Sequence, residues 1–273
     1  MAKDCVTRRL LITGAAGEIG TVLRKGLQGH FDFVRLTDIK PMAPAGRGEE
    51  IIQADILDPG AMVDAMKDID CVVHLAGIPC EDNWQNILDA NIIGCRNVFE
   101  GARIAGVKRV VFASSNHVIG FYHRDQIIDA EVLTRPDTRY GVSKVFGEAL
   151  GRLYADKYGL SVSCLRIGSF RREPEDQRQL MTWISPGDMV QLAELCIVHP
   201  SYHFIIVYGV SNNDRSIWDN SKVEWLGYCP KDNAENFAAA IVSRDHQEDP
   251  IARIFHGGSF CSAEFSRSPA RIK

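Results

Sequence analysis

Short apolar runs alternate with longer amphipathic stretches along the first two thirds of the chain. The runs are rich in Val, Ile and Leu and are bounded by charged or turn residues, which is typical of strands buried on both faces. They occupy residues 9–13, 33–37, 50–54, 71–75, 109–113, 161–167 and 204–207. Helical patterns occupy residues 18–27, 60–66, 83–105, 139–157 and 188–198. This alternation predicts an α/β fold, a doubly wound parallel sheet with right-handed crossovers.

The C-terminal part has two features of its own. Residues 168–186 are charged and have little apolar period, which is typical of a binding loop or lid. Residues 232–235 (Asp-Asn-Ala-Glu) resemble a capping box that opens the last helix. No internal repeat or interdomain linker is visible in the sequence. We therefore expect one domain over residues 1–273, in which residues 168–273 form most of a small substrate-binding portion.

Composition and charge exclude several functions. The net charge of −4 leaves no basic face for nucleic acid. No segment approaches the roughly 20 apolar residues of a membrane helix. Residues 1–9 lack the apolar stretch of a signal peptide. We therefore expect a cytoplasmic protein without a nucleic-acid or membrane partner.

The cysteines show no metal-binding pattern. None forms a Cys-x-x-Cys pair, and no histidine pair has zinc-ligand spacing. The eight positions are Cys5, Cys71, Cys80, Cys95, Cys164, Cys196, Cys229 and Cys261. We expect reduced thiols, mostly in the core, and no metal.

A glycine-rich turn follows the first predicted strand. Gly14, Gly17 and Gly20 let the backbone turn tightly and approach a pyrophosphate, and the helix that follows offers free N–H groups. The same turn contains Ala16, Glu18 and Ile19. A tight connection without a ligand remains an alternative for such a turn. The motif predicts a dinucleotide-binding Rossmann fold, although its spacing differs from the common G-x-G-x-x-G.

Acidic and small residues follow the next strands. Asp38 ends the second strand, where a carboxylate can accept hydrogen bonds from an adenosine ribose and repel a 2′-phosphate. This position favours NAD over NADP, and Lys40 softens the preference. Further cofactor contacts are predicted at Asp55 and Ile56, near adenine, and at Leu75, Ala76 and Gly77 after the fourth strand. His74 is expected to be a packed histidine.

A tyrosine and a lysine share one face of the 139–157 helix. Tyr140 and Lys144 are four residues apart, and Ser115 ends the fifth strand. An ammonium and a positive nicotinamide ring both favour a phenolate, and lowering the pKa by about three units corresponds to roughly 4 kcal/mol. Tyr-x-x-x-Lys is common by chance, so this interpretation depends on the glycine turn and on Ser115. Together they predict hydride transfer with Tyr140 as the base.

These motifs resemble the extended branch of the short-chain dehydrogenase/reductase superfamily from Arg9 to about His203. The resemblance implies that Ser115, Tyr140 and Lys144 act together and that Lys144 also binds the nicotinamide ribose. Asn91, in Asn91-Ile-Ile-Gly94, matches the asparagine that holds the lysine through water and completes the catalytic set.

Within that branch the chain is similar to the uronate dehydrogenases. The similar stretches are residues 112–117, 166–169, 182–185, 218–221 and 230–234. The resemblance implies NAD-dependent oxidation of D-glucuronate or D-galacturonate at C1 to an aldarolactone. It implies that Arg178 binds the carboxylate, with Arg171 and Arg172 as nearby alternatives. Sugar contacts match Ser115, Asn116, His117, Tyr140 and Ser169.

One position departs from the family. Pro79 stands where the family has a serine that touches the sugar, and proline offers neither a hydroxyl nor an N–H. This difference leaves a different small sugar acid open as the substrate.

Two other functions share these motifs. A sugar-nucleotide epimerase or dehydratase has the same fold and Tyr-Lys pair, but its C-terminal part is usually larger. A non-catalytic NAD-sensing module often lacks the tyrosine or lysine. By analogy with the superfamily we also expect a homo-oligomer, with contacts through the helices at residues 83–105 and 139–157.

Overall fold

The computed structural model describes residues 8–243 and 249–272. Within them, seven parallel strands form one sheet: β1 (Arg9–Thr13), β2 (Phe33–Asp38), β3 (Glu49–Gln53), β4 (Cys71–His74), β5 (Arg109–Ser115), β7 (Ser161–Ile167) and β10 (Phe204–Gly209). Their order is β3-β2-β1-β4-β5-β7-β10. Successive strands are therefore added on one side of β1 up to β3 and on the other side from β4 onwards. Doubly wound folds bind ligands at this switch point, outside the carboxyl ends of the strands.

Helices cover both faces of this sheet. The α-helices of the described residues are α1 (Glu18–Gly26), α2 (Pro59–Ala65), α3 (Trp84–Ile87), α4 (Gly94–Ala105), α5 (Arg139–Tyr158), α6 (Gln179–Thr182), α7 (Pro186–Val198), α8 (Ala238–Val242) and α9 (Ser259–Ser262). One apolar core lies against α1 and α7, and a second lies against α2, α4 and α5. The Rossmann-like fold predicted from the sequence is confirmed.

Smaller elements lie beyond the carboxyl edge of the sheet. β6 (Ile128–Asp129) pairs with β11 (Trp218–Asp219), and β8 (Ser169–Phe170) pairs with β9 (Trp183–Ile184). Short 3-10 helices cover Asn116–Ile119, Ser221–Leu226, Ala234–Phe237 and Pro269–Arg271. The charged stretch at residues 168–186 therefore contains β8, α6 and β9 rather than one irregular loop. Its assignment to a substrate-binding portion stays a prediction.

The long helix that carries the tyrosine begins and ends as its sequence indicates. The Thr138 hydroxyl accepts a hydrogen bond from the Gly141 amide, which caps the N-terminus of α5. Gly159, at φ 74°, ends the helix in the left-handed conformation that glycine adopts without strain.

Two helix predictions differ from the structure. The single helix predicted at residues 83–105 contains a π-helical turn, Leu88–Ile93, between α3 and α4. The prediction of a capping box at residues 232–235 is wrong, because Asn233 caps a 3-10 helix. The Asp232 carboxylate accepts a hydrogen bond from the Ser185 hydroxyl, and Glu235 forms an ion pair with Arg215. Tertiary partners hold both carboxylates, so neither Asp232 nor Glu235 caps a helix. That helix is also not the last one, since α9 follows it.

Most of the described cysteines are buried free thiols. Cys95, Cys164, Cys196 and Cys261 are buried and form no disulfide, whereas Cys5 lies outside the described residues. Burial raises the pKa of the Cys95 and Cys196 thiols to about 12.

No helix in residues 8–243 or 249–272 is long and apolar enough to span a membrane.

Candidate active site

The glycine turn joins the ends of β1 and β4 tightly. Gly14 has φ 70°, and a Cβ there would lie 2.6 Å from the Ala76 amide nitrogen. A Cβ at Gly20 would lie 2.5 Å from the Gly14 carbonyl oxygen. Larger side chains at these two positions would force the strand ends and α1 apart, so glycine is required there.

The N-terminus of α1 is open to an anion. Gly17 is the N-cap residue and offers no capping side chain. The first helical amide that donates back is that of Thr21, to the Gly17 carbonyl oxygen at 2.9 Å. The amides of Glu18 and Ile19 lie in this first turn, where N–H groups lack helical acceptors. This donor set fits a pyrophosphate.

Asp38 is fixed beside that turn. Its Oδ2 accepts from the Ala16 amide at 2.9 Å, and its Oδ1 accepts from the Lys40 amide at 2.9 Å. A carboxylate has further lone pairs, so each oxygen can still accept a ribose hydroxyl. The structure thus brings together the predicted cofactor residues Gly14, Ala16, Gly17, Glu18, Ile19, Gly20 and Asp38.

The other predicted cofactor residues follow β3 and β4. Asp55 is exposed and Ile56 is buried against Gly94 at the start of α4. The Leu75 amide donates to Thr13 at 3.1 Å, so Leu75, Ala76 and Gly77 run beside the end of β1. Gly77 has φ 140°, and a Cβ there would lie 2.8 Å from Asn91 Oδ1. A larger residue at position 77 would displace the asparagine.

Asn91 anchors this loop from the π-helical turn. Its Oδ1 accepts from the Ile78 amide at 2.7 Å, and its Nδ2 donates to the Ile78 carbonyl at 3.0 Å and to Ser143 Oγ at 3.1 Å. Ser143 lies on α5 beside Lys144 and donates to the Tyr140 carbonyl. Asn91 therefore links the cofactor loop to the tyrosine helix, and its action on Lys144 through water stays a prediction.

Tyr140, Lys144 and Ser115 meet beyond the end of β5. All three side chains are buried, and Ser115 acts on the Tyr140 phenol so as to lower its pKa. Lys144 Nζ donates to the Ala113 carbonyl at 2.8 Å and lies 5.5 Å from the centre of the Tyr140 ring. This is the arrangement that the sequence motifs predict.

Burial shifts the pKa values of both titratable side chains in this group. Burial raises the pKa of Tyr140 to about 12, despite the opposing effect of Ser115. Burial also lowers the pKa of Lys144 to about 8. Desolvation is the largest cause of both shifts, and the fall in the tyrosine pKa beside a bound nicotinamide ring stays a prediction. Packed His74 bonds Thr13 at 2.8 Å, and burial lowers its pKa to about 3.

Arg178 reaches this group from α6 and its preceding loop. Its Nε donates to the His256 carbonyl at 2.7 Å and its Nη1 to Ser169 Oγ at 3.3 Å. The hydrogen bonds orient the Asn116 amide so that its oxygen accepts from Arg178 Nη2 at 2.7 Å. Burial, followed by the charge of Arg124, lowers the pKa of Arg178. Its hydrogen-bond partners are all neutral, and the carboxylates of Asp176 and Asp137 act on it only at longer range, so the cation suits an anionic ligand.

His117 brings in residues that sequence reasoning missed. Its Nδ1 bonds Asp137 Oδ2 at 2.7 Å, and its ring stacks on Phe260 with centroids 3.9 Å apart. The His117 ring also meets the Tyr140 ring edge-on at 5.8 Å. No spacing rule links Asp137 or Phe260 to His117, because the fold alone brings them together.

The remaining positions lie toward the surface. Pro79 and Arg172 are exposed. Arg171 is exposed too and lies 3.5 Å from Glu18, at the start of α1. Of these three arginines, Arg178 is the one that forms hydrogen bonds within the described residues to neutral groups only.

Comparisons with known proteins identify the family. The model of the NAD dependent epimerase/dehydratase family matches residues 10–195. A uronate dehydrogenase of Pseudomonas putida is 45% identical over 258 residues, which cover 93% of this chain and 96% of that protein. The chain belongs to the uronate dehydrogenases of this family.

Solved structures of uronate dehydrogenases have the same fold. One is a tyrosine-to-alanine mutant of the Agrobacterium tumefaciens protein complexed with NAD. It is 44% identical with a TM-score of 0.90, over 93% of this chain and 97% of that one. Another is the glucuronic acid dehydrogenase of Chromohalobacter salexigens, 42% identical with a TM-score of 0.91, over 97% of this chain and 100% of that one.

Proposed function

We propose that this uronate dehydrogenase oxidises a hexuronate, D-glucuronate or D-galacturonate, at C1 with NAD and releases the aldarolactone. One observation carries the proposal. The buried Tyr140–Ser115 pair and the Arg178–Asn116 pair lie at the same edge of the sheet as the α1 N-terminus. A base, a carboxylate-binding cation and a phosphate-binding turn thus converge.

The cofactor is held by the chain's own donors. The amides of the α1 first turn bind the pyrophosphate, and Asp38 accepts the adenosine ribose hydroxyls. Lys144 donates to the other ribose. When bound, NAD supplies a hydride acceptor at nicotinamide C4 and a positive charge that favours the phenolate.

The substrate is oriented by its charge. Arg178 donates two parallel hydrogen bonds to the C6 carboxylate, and its neutral partners Ser169 and Asn116 hold the guanidinium in place. Tyr140 accepts the proton of the C1 hydroxyl while Ser115 donates to the same oxygen. The burial of these side chains excludes water from the reacting atoms.

The surroundings of the protein are part of the proposal. Belonging to the uronate dehydrogenases supports a small sugar acid as the ligand. We also propose a cytoplasmic homo-oligomer, in which Trp84, Val142 and Leu153 on α3 and α5 meet a second copy, since all three are exposed apolar side chains.

The test is NADH formation at 340 nm with uronates, neutral aldoses and UDP-sugars. We expect turnover of uronates only. Epimerised UDP-sugar without net NADH would instead support the epimerase alternative. NAD binding without turnover on any sugar acid would support the sensing module.

A substitution at the proposed base sharpens this test. Tyr140→Phe keeps the ring contacts with His117 and loses the hydroxyl, so turnover should fall by at least about 10²-fold. Binding of NAD, measured by calorimetry, should remain. Full activity in this variant would remove Tyr140 from the role of base.

A further inference from the structure

A buried carboxylate next to the proposed substrate site has no part in the reaction described above. Asp137 Oδ2 lies 2.7 Å from His117 Nδ1, and the Asp137 side chain is completely buried. The His117 side chain is only 10% exposed. A carboxylate in such a place needs partners that hold it.

Asp137 cannot turn away from His117. The Thr138 hydroxyl donates to Asp137 Oδ1 at 2.9 Å, and Cys261 Sγ lies 3.8 Å from Oδ2. A Cβ at either Gly120 or Gly257 would come within 1.9 Å of Oδ2. The two glycines thus make room for this carboxylate.

The imidazole ring is held in one plane as well. Phe260 stacks on one face at 3.9 Å with an interplanar angle of 20°, and Tyr140 meets the ring edge-on. The His117 amide donates to Ser115 Oγ at 3.2 Å. His117 Nε2 has no hydrogen-bond partner among the described residues, although Nδ1 has one.

We propose that Asp137 is a positioning residue that keeps the proton on His117 Nδ1, so that Nε2 accepts a hydrogen bond from a ring hydroxyl of the substrate. The inference rests on the proposed function. An ionised carboxylate only accepts hydrogen bonds, so Nδ1 must carry the proton, and a neutral ring then has its lone pair on Nε2. An acceptor at this point binds a hydroxyl and repels a carboxylate. His117 and Arg178 together allow one orientation of the sugar acid.

The first measurement is made on the wild-type protein, and a variant serves only to assign the signals of His117. Nitrogen-15 NMR of the full-length protein, with His117→Gln for assignment, reports the protonation of each ring nitrogen. We expect a protonated Nδ1 and an unprotonated Nε2 at pH 7.5. A protonated Nε2, in the neutral ring or the cation, would overturn the proposal.

The second measurement is a double-mutant cycle on uronate oxidation. Asp137→Ala should lower kcat/KM by about 10- to 100-fold, mainly through KM, because a substrate hydrogen bond is misaligned. In a His117→Ala background the same change should cost less than about threefold. Equal losses in both backgrounds would show a merely structural role and overturn the proposal.

A matched control separates packing from positioning. Asp188 is also buried and accepts from Ser211 at 2.6 Å and from the Lys231 amide at 2.8 Å. Asp188→Ala should lower the unfolding midpoint and leave KM unchanged. If the wild type oxidises no uronate, the proposed function fails, while the NMR measurement still decides the role of Asp137.

Discussion

Arg178 is a cation whose described partners are a carbonyl, a hydroxyl and an amide oxygen. These groups orient the guanidinium without neutralising it. Arg171, by contrast, lies at the surface between Glu18 and Glu175. The difference in partners selects Arg178 from the three arginines that the sequence offers.

Arg178→Ala should therefore raise KM for uronates by about 10²-fold, since charge-assisted hydrogen bonds are lost. Arg171→Ala is the control and should leave KM for uronates within about twofold. An unchanged KM in Arg178→Ala with a raised KM in Arg171→Ala would move the anion contact to the surface arginine.

Asp38 presents a second charge that selects a ligand. Its carboxylate is held by two amides, so it cannot swing away from a 2′-phosphate. Asp38→Asn should reduce the ratio of kcat/KM for NAD to that for NADP by at least about 10-fold, because the repulsion is removed. Asp55→Asn should change both cofactors alike, since they share adenine. An unchanged ratio in Asp38→Asn would contradict the assignment.

At the scale of elements, the strands could be predicted because each apolar run that marks a strand lies within the strand itself. A strand buried on both faces is apolar throughout, and each of the seven predicted runs overlaps a strand of the sheet. The π-helical turn is different, because Asn91 within it bonds Ser143, which lies 52 residues away in sequence. The same reasoning explains why Tyr140 and Lys144 were found by spacing, whereas Asp137 was not.

A buried ion pair ties α5 to the sheet below the proposed base. Arg166 on β7 binds Glu148 on α5 through two hydrogen bonds of 3.0 and 2.9 Å, and Ser114 donates to Glu148 at 2.7 Å. Their side chains are 2% and 6% exposed. Glu148 lies on the helix that carries Tyr140 and Lys144, so loss of the pair weakens the packing of that helix on the sheet.

Glu148→Gln should lower the free energy of unfolding by about 3–5 kcal/mol, since it leaves a buried guanidinium without its counter-charge. Asp64→Asn is the matched control, because its pair with Lys67 is exposed, and it should cost less than about 0.5 kcal/mol. Urea unfolding at pH 7 measures both. Similar values for the two variants would show that Arg166 finds another partner.

At the scale of the whole molecule, two histidines in separate parts of the fold make it sensitive to acid. His74 ends β4, and His256 lies in the C-terminal segment whose Gly257 amide donates to Gly120 at 2.9 Å. Burial lowers the pKa of His74 to about 3 and that of His256 to about 4. Both rings are neutral when folded at pH 5, whereas unfolded histidine takes up a proton below about pH 6.5.

Stability should therefore fall as the pH drops through 6.5 towards the folded pKa values. Between pH 7 and pH 5 each histidine should remove about 2 kcal/mol from the free energy of unfolding. His74→Asn should reduce this acid loss by about 2 kcal/mol, because one proton fewer is taken up on unfolding. Val73→Ala is the control: it destabilises the neighbouring core position and should keep the acid loss of the wild type. Urea unfolding at both pH values measures the differences, and an acid loss in His74→Asn equal to that in Val73→Ala would show that His74 is already protonated in the folded protein.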